Sequence, residues 1–369
     1  MNQLFRWDQM GLFLLALAAG ILPFAVPEVC AAALREGLTL CSGPLLLSLF
    51  PFLVVSRLLI QCPESDLLAL PFRLAAWGIG IRTPCAARVL CIGFLGGFAP
   101  AASAAAQAVR TGQITAEEAD ALLPACICSG PSFVVLTVGQ SLLGSAELGV
   151  LLFASQITAN YLTAALLNRF AGVRSVKPGS AVPAFPAPPR LDEILADAAI
   201  TYCKLCGFIL FFRMLAAGAG ALLPAGAGTL CSILLEVCSG CDLASRTGRW
   251  GSLLCCAALS VQGLSVLLQV RTICPPEMTL RPLYRARLLH LPLSLALFYL
   301  LLPGGEADVF STLPARVLLM RRVPPDCALL VFAVCCMAAC ALRSGIRQVE
   351  QKQMARNAGG CCINSKTLL

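Results

Sequence analysis

A single acidic side chain interrupts an apolar run of the sequence. The run extends from Leu230 to Val237, and Glu236 is its only charged residue. An isolated carboxylate at membrane depth is costly unless it is paired, protonated or hydrated, and ionisable residues in such places mostly serve a function. Glu236 is therefore the first candidate for contact with a substrate or a coupling ion. A structural ion pair with Arg213 or another basic residue is the alternative, and the sequence gives both equal weight.

Other polar residues stand beside places where the apolar sequence is broken. Ser129 and Ser132 flank one break, and Gln262 and Ser265 flank a later one. They are candidates for a polar pocket built together with helix starts. Hydrogen bonds between neighbouring helices are an alternative of at least equal weight. The same two interpretations hold for Gln107, Gln156 and Asn160.

Two further acidic residues, Glu118 and Asp242, lie where helix starts are predicted. Thr115 and Glu118 have the Thr-x-x-Glu spacing of a capping box, so a helix is expected to begin there. Asp242 follows Gly240 and is a weaker candidate for the substrate site. The interpretation we favour is that Asp242 caps the next helix.

The positions of these candidate residues are set by breaks in the helices, and the first two breaks lie in a glycine- and proline-rich stretch from Gly93 to Gly139. Gly97 and Pro100 interrupt its apolar sequence once, and Gly130 and Pro131 interrupt it again. Proline suits the first position of a helix, where its missing N–H would have no partner, so Pro100 and Pro131 each predict a new short helix. Helix starts offer unpaired N–H groups and partial positive charge to a polar or anionic ligand. Gly97 and Pro100 therefore join the candidates for substrate binding.

Composition places the chain in the lipid bilayer. Of its 369 residues, 58% are hydrophobic and 12% are charged, whereas soluble domains have about 45–50% apolar and about 25% charged residues. The net charge of +8 comes from basic residues in connections and in the tail, which is typical of segments beside anionic lipid and does not favour nucleic acid. The sequence predicts an all-α, polytopic integral membrane protein.

The sequence predicts neither a cofactor nor a metal site. Its 21 cysteines lie mostly inside apolar runs, where cysteine acts as a small hydrophobe. Chance explains the two Cys-x-x-Cys pairs, Cys203/Cys206 and Cys238/Cys241, better than a metal site does. His290 is the only histidine and is expected near a membrane surface, so no catalytic triad or histidine cluster can be assembled. We therefore predict no enzymatic activity.

The chain is predicted to consist of an N-terminal transmembrane helix (1–30), a first half (31–170), a proline-rich linker (171–192), a second half (193–343) and a basic tail (344–369). The positive-inside bias places the tail in the cytoplasm. Gln9 to Val26 is expected to be the first span, and Leu38 to Ile60 a single span kinked at Pro44 and Pro51. The segment 66–81 is short and is assigned to the membrane interface. Later apolar spans are expected at 148–167, 197–217, 288–302 and 328–341.

The second half repeats the pattern of the first. The sequence 211–215 resembles 55–59, the segment 236–248 resembles 96–112, and 260–269 resembles 129–137. Repeats in the same order predict a duplicated core in which paired broken helices, re-entering the membrane, face each other at its middle. A parallel and an inverted arrangement of the halves both remain open at this point.

Several motifs resemble the sporulation integral membrane protein YlbJ family. The run Gly-Phe-Leu-Gly-Gly-Phe-Ala-Pro-Ala-Ala at 93–102 resembles that family's glycine- and proline-rich signature, and 112–119 resembles its Gly-x-Ile-(Ser/Thr)-x-x-Glu-Ala. The segments 128–139 and 260–270 resemble two further family motifs, although Cys128-Ser129-Gly130 stands where asparagine is usual. The similarity covers about residues 30–305. The family belongs to the Gate, or nucleoside-recognition, group.

This resemblance implies a multi-pass bacterial protein of the cell membrane that acts in endospore formation, particularly in spore cortex formation. The many cysteines favour a reducing cytoplasm, such as that of an anaerobe. With the broken helices, the resemblance predicts two Gate-like halves that form a permease for a small polar or anionic solute. A non-transporting scaffold for cortex-assembly proteins is the alternative. The other expected partners are the lipid bilayer and a second copy of the chain in a homo-oligomer.

Overall fold

The computed structural model describes residues 2–62, 65–171 and 190–302, and all regular structure in these ranges is helical. Helical segments long and apolar enough to cross a membrane cover Pro27–Leu47, Ala146–Ala171, Leu191–Leu222 and Gly248–Ile273, of which the first is interrupted at Gly43 and the last at Gln262. The protein is thus an all-α chain with the features of a membrane protein.

In chain order, the helices are α1 (Asn2–Ala25), α2 (Pro27–Ser42), α3 (Pro44–Gln61), α4 (Ser65–Leu68), α5 (Leu70–Gly78), α6 (Pro84–Gly96), α7 (Phe98–Arg110), α8 (Ala116–Cys126), a π-helix (Ser132–Leu142), α9 (Ala146–Ala171), α10 (Leu191–Leu222), α11 (Ala225–Leu235), α12 (Val237–Ser245), α13 (Gly251–Val261), α14 (Gly263–Ile273) and α15 (Arg281–Leu301).

Two pairs of short helices form hairpins. Helices α6 and α7 pack side by side and meet at Gly97, and a Cβ added at Gly93 would lie 3.2 Å from the Cβ of Ala101. Helices α11 and α12 pack likewise and meet at Glu236, where a Cβ added at Gly240 would lie 2.8 Å from the Cα of Ile233. Because small residues let the two arms approach closely, each hairpin is narrow.

Two longer helical paths are broken in the middle. Helix α8 ends at Cys126, and the path resumes in the π-helix at Ser132; α9 packs along both pieces. Helix α13 ends at Val261, and α14 begins at Gly263, with Gln262 between them at φ 62°. Both paths therefore lose backbone hydrogen bonds halfway along their length.

The bundle has two ends, which we call end A and end B. End A holds the C-terminus of α9, the N-terminus of α10 and the turn 111–115. There, Asn168 donates hydrogen bonds to the carbonyl oxygens of Ile79 and Ala121, and the Asp120 carboxylate accepts from the Thr279 and Leu280 N–H groups. End B holds the N-terminus of α9 and the C-terminus of α10.

The hairpins enter the bundle from opposite ends. Arg88, near the start of α6, donates to the Gln113 side chain just after α7, so the α6–α7 hairpin has its open side at end A. Helix α10 runs through the bundle to end B, and α11 begins after a short turn, with a Cβ at Gly228 only 3.1 Å from the Cα of Gly220. The α11–α12 hairpin therefore has its open side at end B.

Several sequence predictions are confirmed. The Thr115 hydroxyl accepts from the Glu118 N–H, and the Glu118 carboxylate accepts from the Thr115 N–H, which completes the capping box. The interruptions at Gly97 and at Gly130 are present. The segment 66–81 forms only short helices, α4 and α5.

Other predictions are wrong in detail. Leu38 to Ile60 is not one helix, because the backbone breaks at Gly43 and Pro44 begins α3. Helix α7 begins at Phe98, so Pro100 is its third residue and not its first. The apolar part of α1 covers only Phe13–Ala25, which is shorter than the expected first span. The expected span 328–341, the tail 344–369 and most of the linker 171–192 lie outside the described residues.

We predict that Gly149→Ala lowers stability, whereas Gly207→Ala does not. A Cβ at Gly149 in α9 would lie 2.7 Å from the Cα of Val135 in the π-helix, whereas one at Gly207 in α10 has no atom within 4 Å. Overpacking of this kind costs about 1–3 kcal/mol, which lowers the melting temperature of a chain of this length by roughly 1–4 °C. The measurement is the apparent melting temperature of both purified variants in detergent; equal values would contradict the close packing of α9 on the π-helix.

Candidate functional site

Glu236 lies at the tip of the α11–α12 hairpin. Its side chain is buried, and the carboxylate accepts hydrogen bonds from the Cys238 N–H at 2.8 Å, the Ser239 N–H at 2.7 Å and the Ser239 hydroxyl at 2.9 Å. Glu236 therefore caps α12, where unpaired N–H groups and the helix dipole stabilise negative charge.

The alternative interpretation, an ion pair between Glu236 and Arg213, is wrong. The Nη2 atom of Arg213 contacts the Oε2 atom of Glu36 in α2 at 2.7 Å. The predicted cap at Asp242 is wrong as well. Asp242 lies inside α12 and pairs with Arg246 one turn later, at 3.0 Å. The residue that caps α12 is the one in the non-helical conformation before it, Glu236.

Each hairpin tip contacts the break in the helical path that follows it. A Cβ added at Gly97 would lie 2.6 Å from the backbone nitrogen of Gly130, and one added at Gly263 would lie 2.9 Å from the backbone nitrogen of Glu236. Gly97 and Gly263 also have positive φ values, 80° and 68°, which glycine adopts without strain. The interruptions thus form two touching pairs, one in each half of the chain.

A cavity of about 60 Å³ lies between these two pairs. We call it the central cavity. Its polar lining consists of Ser129, Ser132, Glu236 and Gln269, and the larger part of its wall is apolar, formed by residues of α3, α6, α7, the π-helix, α10, α12 and α14. Three predicted candidates, Glu236, Ser129 and Ser132, are therefore brought together at one place. The π-helix starts at Ser132, so its first N–H groups are close to this space.

The remaining candidates lie close by but do not line the central cavity. The Nε2 atom of Gln262 lies 3.4 Å from the carbonyl oxygen of Ile127, so Gln262 joins the two broken paths. The Ser265 hydroxyl accepts a hydrogen bond from Gln269 at 2.9 Å. Pro100 is buried in α7 beneath Gly96, where it fills the base of the hairpin tip.

Arg287 is a central residue that sequence reasoning missed. Its guanidinium is buried and donates to the carbonyl oxygen of Ile127 at 3.1 Å, to the side chain of Asn160 at 3.0 Å and to the carbonyl oxygen of Ser260 at 3.4 Å. Ile127 follows α8 and Ser260 lies in the last turn of α13, so Arg287 neutralises the negative ends of both helices. The expected span began at Leu288, which left Arg287 outside it, whereas α15 begins at Arg281.

His290 also lies in the interior, and its predicted place near a membrane surface is wrong. It is fully buried on α15, and its Nε2 atom lies 3.1 Å from the carbonyl oxygen of Gln156 in α9. The Gln156 side chain in turn donates to Ser260 at 3.0 Å. Helices α9 and α15 therefore carry a polar network next to the two helix breaks. In it, Gln156 and Asn160 form hydrogen bonds between helices, which is the alternative to a pocket role given for them in the sequence analysis.

No group of three or more metal-ligating side chains occurs within the described residues. Searches against protein-family models, curated proteins and solved structures find no match for this chain. The chemistry on which a function can be based is therefore the polar central cavity between two hairpin tips.

We predict that Gly97→Ala is much more damaging than Gly80→Ala. Both glycines have positive φ, 80° and 87°, but only a Cβ at Gly97 collides with backbone. Backbone strain costs the Gly80 variant about 1–2 kcal/mol. At Gly97 the ψ value of −163° places the backbone in a region that is essentially restricted to glycine, where strain costs about 1–3 kcal/mol, and the collision with Gly130 adds about 1–3 kcal/mol. Comparison of the two apparent melting temperatures in detergent measures the additional strain and the collision at Gly97 together; identical losses would contradict the contact between the tip and the break.

We predict that Arg287→Leu destabilises the chain by on the order of 3 kcal/mol or more, because it leaves buried carbonyl and amide oxygens without donors. Arg285→Leu on the same helix is the matched control, since Arg285 is exposed and surface changes cost within about 0.5 kcal/mol. The readout is the yield of monodisperse protein and its melting temperature. Equal yields and melting temperatures of the two variants would rule out that Arg287 holds α15 to the C-terminal ends of α8 and α13.

Proposed function

We propose that this protein is a membrane permease with a duplicated, inverted core, which moves a small polar or anionic solute through the central cavity. The single observation that carries the proposal is that the two hairpin tips, one from each half, border one cavity together with the first helix break and α14, and that polar groups of Ser129, Ser132, Glu236 and Gln269 line it. Broken helices in a membrane are tolerated where they are covered by protein or line a wet cavity, and transporter sites are built in this way.

The inverted relation is supported by the direction of each element. In the first half, a hairpin enters from end A and is followed by a broken path towards end B. In the second half, a hairpin enters from end B and is followed by a broken path towards end A. Inverted repeats of this kind place the solute site at the middle of the membrane and let either hairpin open to its own side.

The cavity lining suggests how a solute is held. Glu236 accepts hydrogen bonds on both carboxylate oxygens from α12 and retains acceptor capacity for a donor group of the solute. Ser129, Ser132 and the first N–H groups of the π-helix suit an acceptor or anionic group. The solute that fits best carries a hydrogen-bond donor and an acceptor on opposite sides.

The cellular setting follows from the sequence resemblance. The likeness to the YlbJ family supports a place in the cell membrane of a spore-forming bacterium and a role in spore cortex formation. In that setting, the permease would supply or remove a solute during endospore formation.

We predict that Glu236→Gln reduces solute flux about tenfold or more, which corresponds to about 1.4 kcal/mol of transition-state stabilisation. Asp242→Asn is the matched control, because Asp242 is an acidic residue of α12 that is paired with Arg246 and does not line the central cavity. The measurement is uptake of labelled nucleosides, amino acids, dicarboxylates and inorganic phosphate into proteoliposomes.

Flux of one of these solutes that survives Asp242→Asn and is lost in Glu236→Gln supports the proposal. Unchanged flux in Glu236→Gln at equal insertion contradicts it. If the unmodified chain moves none of these solutes but retains cortex-assembly proteins during purification, the scaffold alternative is favoured instead.

A further inference from the structure

A second cavity, of about 180 Å³, lies at end A between α3, α7, α10 and α14. We call it the vestibule. Its lining includes the basic side chains Arg57, Arg110 and Lys204 together with Asp197. Ser103, Thr201 and Thr272 also line it. The Thr201 and Thr272 hydroxyls donate to the carbonyl oxygens of Asp197 and Leu268 in their own helices. The vestibule is thus a concave surface whose main polar feature is positive charge.

The positive charge of the vestibule is only partly neutralised. The one carboxylate in its lining, that of Asp197, forms an ion pair with Arg57, in which Nη1 of Arg57 lies 2.6 Å from Oδ2 of Asp197. Arg110 and Lys204 form no hydrogen bond or ion pair with any residue that the structure describes, and both are exposed. Two positive charges therefore remain available to a ligand.

Gln269 connects the vestibule to the central cavity, because its side chain lines both. Gln269 is 2% exposed. Its Nε2 atom donates to Ser265, while its Oε1 atom has no partner among the described residues. Buried polar atoms are nearly always hydrogen-bonded, so this oxygen is in place for a donor that the chain does not provide. One side chain thus separates the basic vestibule from Ser129, Ser132 and Glu236.

We infer that the vestibule is a binding site for a soluble anion with a phosphate or carboxylate group, and that it is the first site on the route to the central cavity from end A. The inference deepens the proposed function, on which it rests, by naming the solute as an anion. Arg and Lys side chains are the donors that bind such oxyanions in proteins. In a narrow cleft, their field also raises the local concentration of anions.

The central cavity can accept such an anion despite Glu236. The Glu236 charge is stabilised by the start of α12, and Arg287 contributes a buried positive charge behind Ile127. The start of the π-helix at Ser132 then offers the local positive potential that the anion meets after it passes Gln269.

The test is direct binding of labelled inorganic phosphate and labelled succinate to the full chain in nanodiscs of phosphatidylcholine. We expect saturable binding of at least one of them, weakened about tenfold or more in the double variant Arg110→Gln/Lys204→Gln, because charge-assisted hydrogen bonds are lost. Arg285→Gln, which removes an exposed charge elsewhere, is expected to leave binding unchanged. Equal melting temperatures of the variants exclude misfolding as the cause.

Equal binding in the unmodified chain and the double variant, or no binding of either anion, overturns the inference and leaves the permease proposal standing. A second arm uses nanodiscs with phosphatidylglycerol. If this lipid raises the melting temperature of the unmodified chain but not of the double variant, and soluble anions do not bind, then the vestibule holds a lipid headgroup and the inference is wrong. Binding to the vestibule is measured without transport, so loss of flux in Glu236→Gln tests the permease proposal, loss of binding in Arg110→Gln/Lys204→Gln tests the vestibule, and the two failures are distinguishable.

Discussion

A charge buried in an apolar bundle has to be neutralised, and in this chain helix ends do so for both signs. The Glu236 carboxylate is held by the N-terminal N–H groups of α12, and the Arg287 guanidinium is held by carbonyl oxygens at the C-terminal ends of α8 and α13. Neither charge forms an ion pair within the described residues. Helix ends can serve in this way only if the helices stop in the interior, so the breaks and the buried charges require each other.

Close backbone contact is the second condition for this arrangement. Broken backbone inside a bundle exposes polar groups that lipid cannot satisfy. Here, each hairpin tip covers the break of the following path, with Gly97 against Gly130 and Gly263 against Glu236. Side chains at these glycines would separate the tips from the breaks and let lipid or water reach the exposed N–H and carbonyl groups. The central cavity is the small space that remains between the two hairpin tips.

The sequence predicted the local features and missed the long-range ones. The capping box at Thr115, the break at Gly97 and the buried position of Glu236 follow from signals within a few residues, because caps, glycines and charges in apolar runs act locally. The partners of these residues do not. Nothing near Arg287 indicates that carbonyl groups more than a hundred residues earlier will receive its hydrogen bonds, and a lone histidine at 290 gives no sign that α9 will bury it.

The carbonyl oxygen of Ile127 receives hydrogen bonds from both Gln262 and Arg287. One acceptor thus ties the first broken path to the second and both to α15, and this polar junction lies outside either hairpin. Displacing a hairpin tip breaks none of these bonds, whereas sliding one broken path past the other breaks all of them. In the proposed permease, a rigid-body motion would therefore keep these bonds only if the hairpins moved against a stationary body formed by the two broken paths and α15.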